Sequence, residues 1–163
     1  MTRGEGVPII GRLSSRELID VGGVLQTGRE LSIRERLSLP DFASFRFVDP
    51  ASVMLEIRRL GRGIELAGTI DAQALGECAR CLDEVRLGLH LEIDENLDPA
   101  AEHGDPLGES NVLDGDELDL GDLVRQLIDS ELPYVVVCAP SCRGLCPQCG
   151  QKRDGGCRCP QSE

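Results

Sequence analysis

Eight cysteines in two unequal groups constrain this 163-residue chain more than any other feature. Six fall within "VCAPSCRGLCPQCGQKRDGGCRCP", residues 137 to 160, and two lie far upstream in "ECARCLDE", residues 77 to 84. Thiol pairs at such short spacing mean metal or redox chemistry in a reducing compartment, and disulfides in an oxidising one. The start "MTRGEGVPIIGRLSSREL" lacks the basic-then-apolar layout of a secretory signal, and no run of about 20 apolar residues follows. The expectation is therefore a soluble, cytoplasmic protein with no membrane partner, whose thiols stay reduced or bind metal.

Aromatic residues are scarce, with no Trp, one Tyr and three Phe, so a core must come from Leu, Ile, Val and Ala. The length suits one domain plus an appendage. In "ELSIRERLSL", residues 30 to 39, apolar and charged residues alternate as in a half-buried strand. Val53, Leu55 and Ile57 share one face, and Ile64, Leu66 and Gly68 share another after "LGRG", which predicts a hairpin. Val85, Leu87, Leu89, Leu91 and Ile93 alternate in a fourth strand. "CARC" then falls between the third and fourth strands.

From Leu87 to Val124 there are twelve acidic residues and no Lys or Arg, so this segment alone carries the formal net charge of -12. It reads as a solvated acidic loop at about residues 94 to 118. Leu120, Leu123, Val124, Leu127 and Ile128 recur at helical spacing within 114 to 133, with acidic residues at the start and Pro133 at the end. Their stripe should cover the sheet. "SSRELIDVGG", residues 14 to 23, reads as a short helix capped by Ser14 or Ser15. The expected fold class is α+β: an antiparallel, curved sheet with a packing helix and a C-terminal Cys-rich, zinc-ribbon-like appendage. Its parts are an N-terminal segment at 1 to 29, the sheet and helix at 30 to 134, and the appendage at 135 to 163.

"CPQCG", Cys146 to Gly150, has the form of a zinc knuckle, in which backbone N–H groups point at the sulfurs and Gly accepts a positive φ. Structural zinc takes four ligands in a closed tetrahedron. Eight sulfurs therefore suit two ions: one on Cys146, Cys149, Cys157 and Cys159, the other on Cys78, Cys81, Cys138 and Cys142. The x3 and x1 spacings leave another division open, with Cys138 and Cys142 completing the knuckle and Cys157 and Cys159 joining the upstream pair. His90 and His103 are spare candidates. No Ser-His-Asp set, G-x-x-x-x-G-K-[ST] loop or H-E-x-x-H is present, which points away from an enzyme and from a small-molecule substrate. Arg143, Lys152, Arg153 and Arg158 near the knuckle, with Arg58, Arg59 and Arg62, offer phosphate contacts, yet no aromatic platform for bases is evident. A protein-interaction module and an RNA binder fit this composition equally.

The succession "GECARCLDEV", acidic loop, "LDLGDLVRQLIDSELP", "CAPSCRGLCPQCG" and "CRC" resembles the bacterial and plastid family of large ribosomal RNA subunit accumulation proteins, the YceD-like family, over residues 30 to 159. The family's upstream pair falls on Cys78 and Cys81 around Arg80, and its C-terminal cysteines on Cys138, Cys142, Cys146 and Cys149, followed by Gly150. "QKRDGG" and "VVV" depart from the family's usual Asn-Leu-Asn link and Pro-rich approach. The resemblance implies a non-enzymatic ribosome-assembly factor that promotes accumulation of large-subunit (23S) ribosomal RNA, with precursor ribosomal RNA or a large-subunit ribosomal protein as partner. Two alternatives use the same thiols: a zinc-bearing redox switch or chaperone-like sensor, and a dithiol oxidoreductase.

Overall fold

The computed structural model describes residues 17–98 and 113–160. A short strand β1 (Leu18–Asp20) and helix α1 (Gly22–Thr27) lead into four longer strands, β2 (Leu31–Leu37), β3 (Ala51–Leu60), β4 (Gly63–Glu77) and β5 (Glu84–Leu97). Two small strands, β6 (Leu113–Asp114) and β7 (Glu117–Asp119), then precede helix α2 (Leu120–Glu131). The long strands form one antiparallel sheet in the order β2-β3-β4-β5, and the short ones a second in the order β1-β7-β6.

Period-two alternation builds the larger sheet. Ala51, Val53, Leu55 and Ile57 of β3 are buried while the intervening side chains face water. Register then sets Ile33, Leu55, Gly68 and Ile93 side by side across all four strands. Burying each large aliphatic side chain in such a row stabilises the fold by roughly 2 kcal/mol. Gly68 is required here, because a Cβ would lie 2.0 Å from the carbonyl oxygen of Met54 on β3.

Helix α2 is capped by Asp119, whose carboxylate accepts the Asp122 amide at 3.0 Å. Leu120, Leu123, Val124 and Ile128 are buried and Leu127 is half-buried, so the stripe expected from the sequence is the packed face, set against β5 and β1.

Three expectations need correction. The helix expected at 14 to 23 is replaced over Leu18–Asp20 by a strand paired with β7, and α1 starts only at Gly22, whose amide bonds to the Asp20 carboxylate at 2.8 Å. Ser14 and Ser15 lie outside the described residues. The helix expected from 114 starts six residues later, because Asp114 to Asp119 form the β6–β7 hairpin with Gly115 at φ 60°. The acidic span is also structured at both ends, by β5 as far as Leu97 and by β6 from Leu113, while 99 to 112 fall outside the described residues.

Candidate metal centre

The turn between β4 and β5 is closed by two backbone bonds, Cys78 N–H to the Asp83 carbonyl at 2.8 Å and Leu82 N–H to the Cys78 carbonyl at 2.9 Å. The appendage repeats the same pattern. Cys146 N–H donates to the Gln151 carbonyl at 2.7 Å, and Gly150 N–H to the Cys146 carbonyl at 2.8 Å. Each turn places two cysteines three residues apart and ends on a left-handed residue, Leu82 at φ 62° in the first and Gly150 at φ 70° in the second. The upstream "CARC" is thus a second knuckle of the same construction. Sequence reasoning missed this equivalence because Leu stands where the conformation favours Gly.

Each knuckle faces another pair of thiols. The sulfurs of Cys78, Cys81, Cys138 and Cys142 all lie within 4.8 Å of one another, as do those of Cys146, Cys149, Cys157 and Cys159. This is the first of the two divisions considered above. Four sulfurs each about 2.3 Å from one tetrahedral ion stand about 3.8 Å apart. The separations found are 3.9 Å for Cys78 to Cys142, 3.6 Å for Cys81 to Cys138, and 3.7 Å for Cys149 to Cys157. These distances are far beyond the roughly 2.05 Å of a disulfide, and all eight cysteines are free. Both quartets could hold a metal ion, and an all-sulfur donor set fits zinc.

The two quartets differ in shelter. In the first, Cys78, Cys81 and Cys142 are buried against Val85, Val137 and Leu145, leaving Cys138 exposed. In the second only Cys146 is buried. Backbone N–H groups aim at Cys78 and Cys81 in the first quartet and at Cys146 and Cys157 in the second, and they dominate at Cys78 and Cys146. Those of Cys138 and Cys81 bring the Cys78 thiol down to about 6, and those of Cys149 and Gln148 do the same for Cys146. The Cys159 thiol moves the other way, to about 12, because it donates toward Cys149 and is partly desolvated. Cys81 also moves up to about 12, where the Asp83 N–H is outweighed by desolvation and the neighbouring thiols, and Cys138 and Cys157 move up as well, so four thiolates become compatible in either quartet only around a cation.

Arg80 joins the first knuckle to the tail, a role sequence reasoning did not find. Its guanidinium donates to the carbonyls of Pro140 at 3.2 Å and Cys142 at 2.9 Å, and its own carbonyl accepts from Leu145 N–H at 3.0 Å. Lys152 adds a charged tie, its ammonium lying 2.5 Å from the Asp83 carboxylate. The setting is a hairpin turn on a sheet, unlike the strand-then-helix position of a thioredoxin-type dithiol.

The other candidates lie elsewhere. His90 on β5 bonds Asp71 at 2.7 Å, and His103 is outside the described residues. Arg58 pairs with Glu30 and Glu56, Arg62 with Asp98, and Arg59 donates to the Gly61 carbonyl, so the expected basic face at 58 to 62 is largely offset by carboxylates. Among the described residues, no helix is long and apolar enough to cross a membrane.

An antiparallel sheet that carries two cysteine knuckles, one in its own hairpin turn and one in a C-terminal appendage, defines the structural class. The chain belongs to the YceD family, described as large ribosomal RNA subunit accumulation proteins, whose family model matches residues 66–163. Uncharacterized proteins of Mycobacterium bovis and Mycobacterium tuberculosis are each 34% identical over 99 residues, covering 59% of this chain and 48% of theirs. The chain thus spans about half the length of these relatives. An uncharacterized protein of Mycobacterium leprae is 24% identical over 163 aligned residues, 92% of this chain and 73% of the relative. No solved structure matches.

Proposed function

We propose that this chain is a non-enzymatic, cytoplasmic accessory factor of large-subunit assembly that promotes accumulation of 23S ribosomal RNA, and that each cysteine quartet holds one structural zinc ion. The observation that carries the reading is that the family match, residues 66–163, contains all eight cysteines of the two quartets. The matched segment is therefore the part of the chain that the metal would organise. Zinc in the first quartet locks the appendage onto the sheet, and zinc in the second folds the appendage itself. The partner is precursor ribosomal RNA or a large-subunit ribosomal protein.

The test is the ratio of 23S to 16S ribosomal RNA in cells lacking the gene. The ratio should fall, recover with the wild-type chain, and stay low with Cys78→Ser/Cys81→Ser. An unchanged ratio in the deletion strain would remove the assembly reading.

A second reading, a thiol switch, draws on the exposure of Cys138 and Cys149. Under mild peroxide a switch releases its metal and forms disulfides, whereas a structural factor keeps its metal. Mass spectrometry of the oxidised protein separates the two.

A further inference from the structure

A groove of about 540 Å³ opens beside the first knuckle, between the C-terminal end of α2, the turn at 42 to 46 and the segment that enters the appendage. Its floor includes Phe45, whose ring lies so close to Gly76 that an added Cβ would stand 2.7 Å from it. Leu82, Tyr134 and Val135 line it and remain 61%, 107% and 66% exposed. Apolar side chains gathered in this way on a soluble surface mark a contact site more often than chance exposure does.

The backbone points to the same place. Among the described residues, the non-glycine positions with positive φ are Ala43, Ser44 and Leu82, and all three line this groove. Leu82 is the most telling of them. The second knuckle puts Gly at the equivalent position, so leucine adds strain and exposes an apolar side chain without being needed for the turn. Strain kept where a glycine would fold more easily is a sign of use.

Charge identifies the occupant. The charged residues lining the groove are Glu77 and Asp129, both acidic, and neither has an ion pair or hydrogen-bond partner among the described residues. Glu77 also stands directly opposite Glu84 in the β4–β5 register, and Glu84 is already engaged by Arg46. A like-charged pair with one member uncompensated is relieved by an incoming cation. Phosphates would be repelled by the same carboxylates, which disfavours RNA here.

From these residues we infer that the groove docks a protein segment in which an apolar side chain is flanked by Lys or Arg, the apolar group seated on Leu82, Tyr134 and Val135 and the cations on Glu77 and Asp129. This names the protein side of the assembly reading above and rests on it only for the partner's setting, since the binding itself is measurable without ribosomal RNA.

Fluorescence anisotropy on the full, metal-loaded chain tests it with three labelled probes: a peptide of Lys-Leu-Arg repeats, its Glu-Leu-Glu counterpart, and an oligouridine of matched length. The basic peptide should bind and the two anionic probes should not. Leu82→Gly should weaken the basic peptide about tenfold while raising the thermal midpoint. That opposed pair of effects is one a purely structural leucine would not give. Tyr134→Ala should weaken binding with the fold intact, and Glu77→Lys/Asp129→Lys should abolish it. Since Leu82→Gly and Tyr134→Ala leave the net charge of -12 unchanged, they separate docking in the groove from general attraction to the acidic segment. Unchanged affinity in both variants, or competition by oligouridine, would overturn the proposal, whatever the 23S ratio does.

Discussion

The carbonyl oxygen of Arg80 lies 2.7 Å from where a Cβ on Gly144 would stand, so the appendage meets the first knuckle at a point that only glycine can occupy without displacement. Gly144 is also left-handed, at φ 74°, and the next residue donates its N–H to that same carbonyl at 3.0 Å. Gly144→Ala should therefore combine backbone strain with the loss of a docking hydrogen bond, costing about 2 to 4 kcal/mol in urea unfolding. Gly150→Ala is the control. Its φ is 70° but its surroundings are open, so it should cost only about 1 kcal/mol.

Metal content divides the quartets. Protein purified without chelator should carry about two zinc ions per chain by elemental analysis, and Cys78→Ser/Cys81→Ser about one. Cys146→Ser should unfold the appendage while leaving most of the sheet's circular dichroism. Metal-free protein with all its thiols titratable would remove the structural-zinc account.

The Lys152–Asp83 contact should give stability a pH-dependent component. Its hydrogen bond from Lys152 holds the Asp83 carboxyl below its ordinary value, and the one to Asp83 raises the Lys152 ammonium. A depressed carboxyl contributes stability above its unfolded pKa and loses it as pH falls through the folded value. The raised ammonium contributes below its unfolded value of 10.5 and loses that contribution as pH rises through the folded one. The difference in urea midpoint between wild type and Lys152→Met should thus be constant near neutrality, shrinking below about pH 4. A difference that is flat down to pH 2.5 would show that the contact adds nothing.

The turn at Ala43 and Ser44 should be improvable. Phe42 and Phe45 exchange backbone hydrogen bonds of 3.2 and 2.9 Å across it, and both central residues are left-handed, at φ 50° and 67°. This is the geometry for which two-residue hairpin turns select Asn and Gly. Ser44→Gly should stabilise the protein by about 1 kcal/mol, read as a higher thermal midpoint.

How much of this was legible in the sequence depended on whether a residue's role is local. The alternation of Val53, Leu55 and Ile57 and the helical spacing from Leu120 to Ile128 report on their own elements, and both appear as read. β4 runs on to Glu77 through Ala72, Ala74 and Gly76, small residues with weak strand preference, of which Gly76 sits beneath the Phe45 ring. Asp114 to Asp119 resembles the acidic first turn of a helix, but β6 pairs with β7 as a hairpin and β1 adds to the other edge of β7. Cysteine spacing suggested two sets of four. The clamp made by Arg80 was not legible, because its carbonyl partners lie about sixty residues further along the chain.

The first quartet joins sulfurs separated by 57 and 64 residues. A metal ion held by these four thiols would close a loop of that length, and a firm cross-link of this kind removes about 4 kcal/mol of chain entropy from the unfolded state. It also sets an order of events during synthesis. At about 5 to 20 residues per second, the β4–β5 turn waits roughly 3 to 11 s after Cys81 is made before Cys138 follows it. During that interval a half-built thiol pair stands on a nearly finished sheet. A centre built on all four thiols can therefore be completed only after β5, α2 and the start of the appendage have been made.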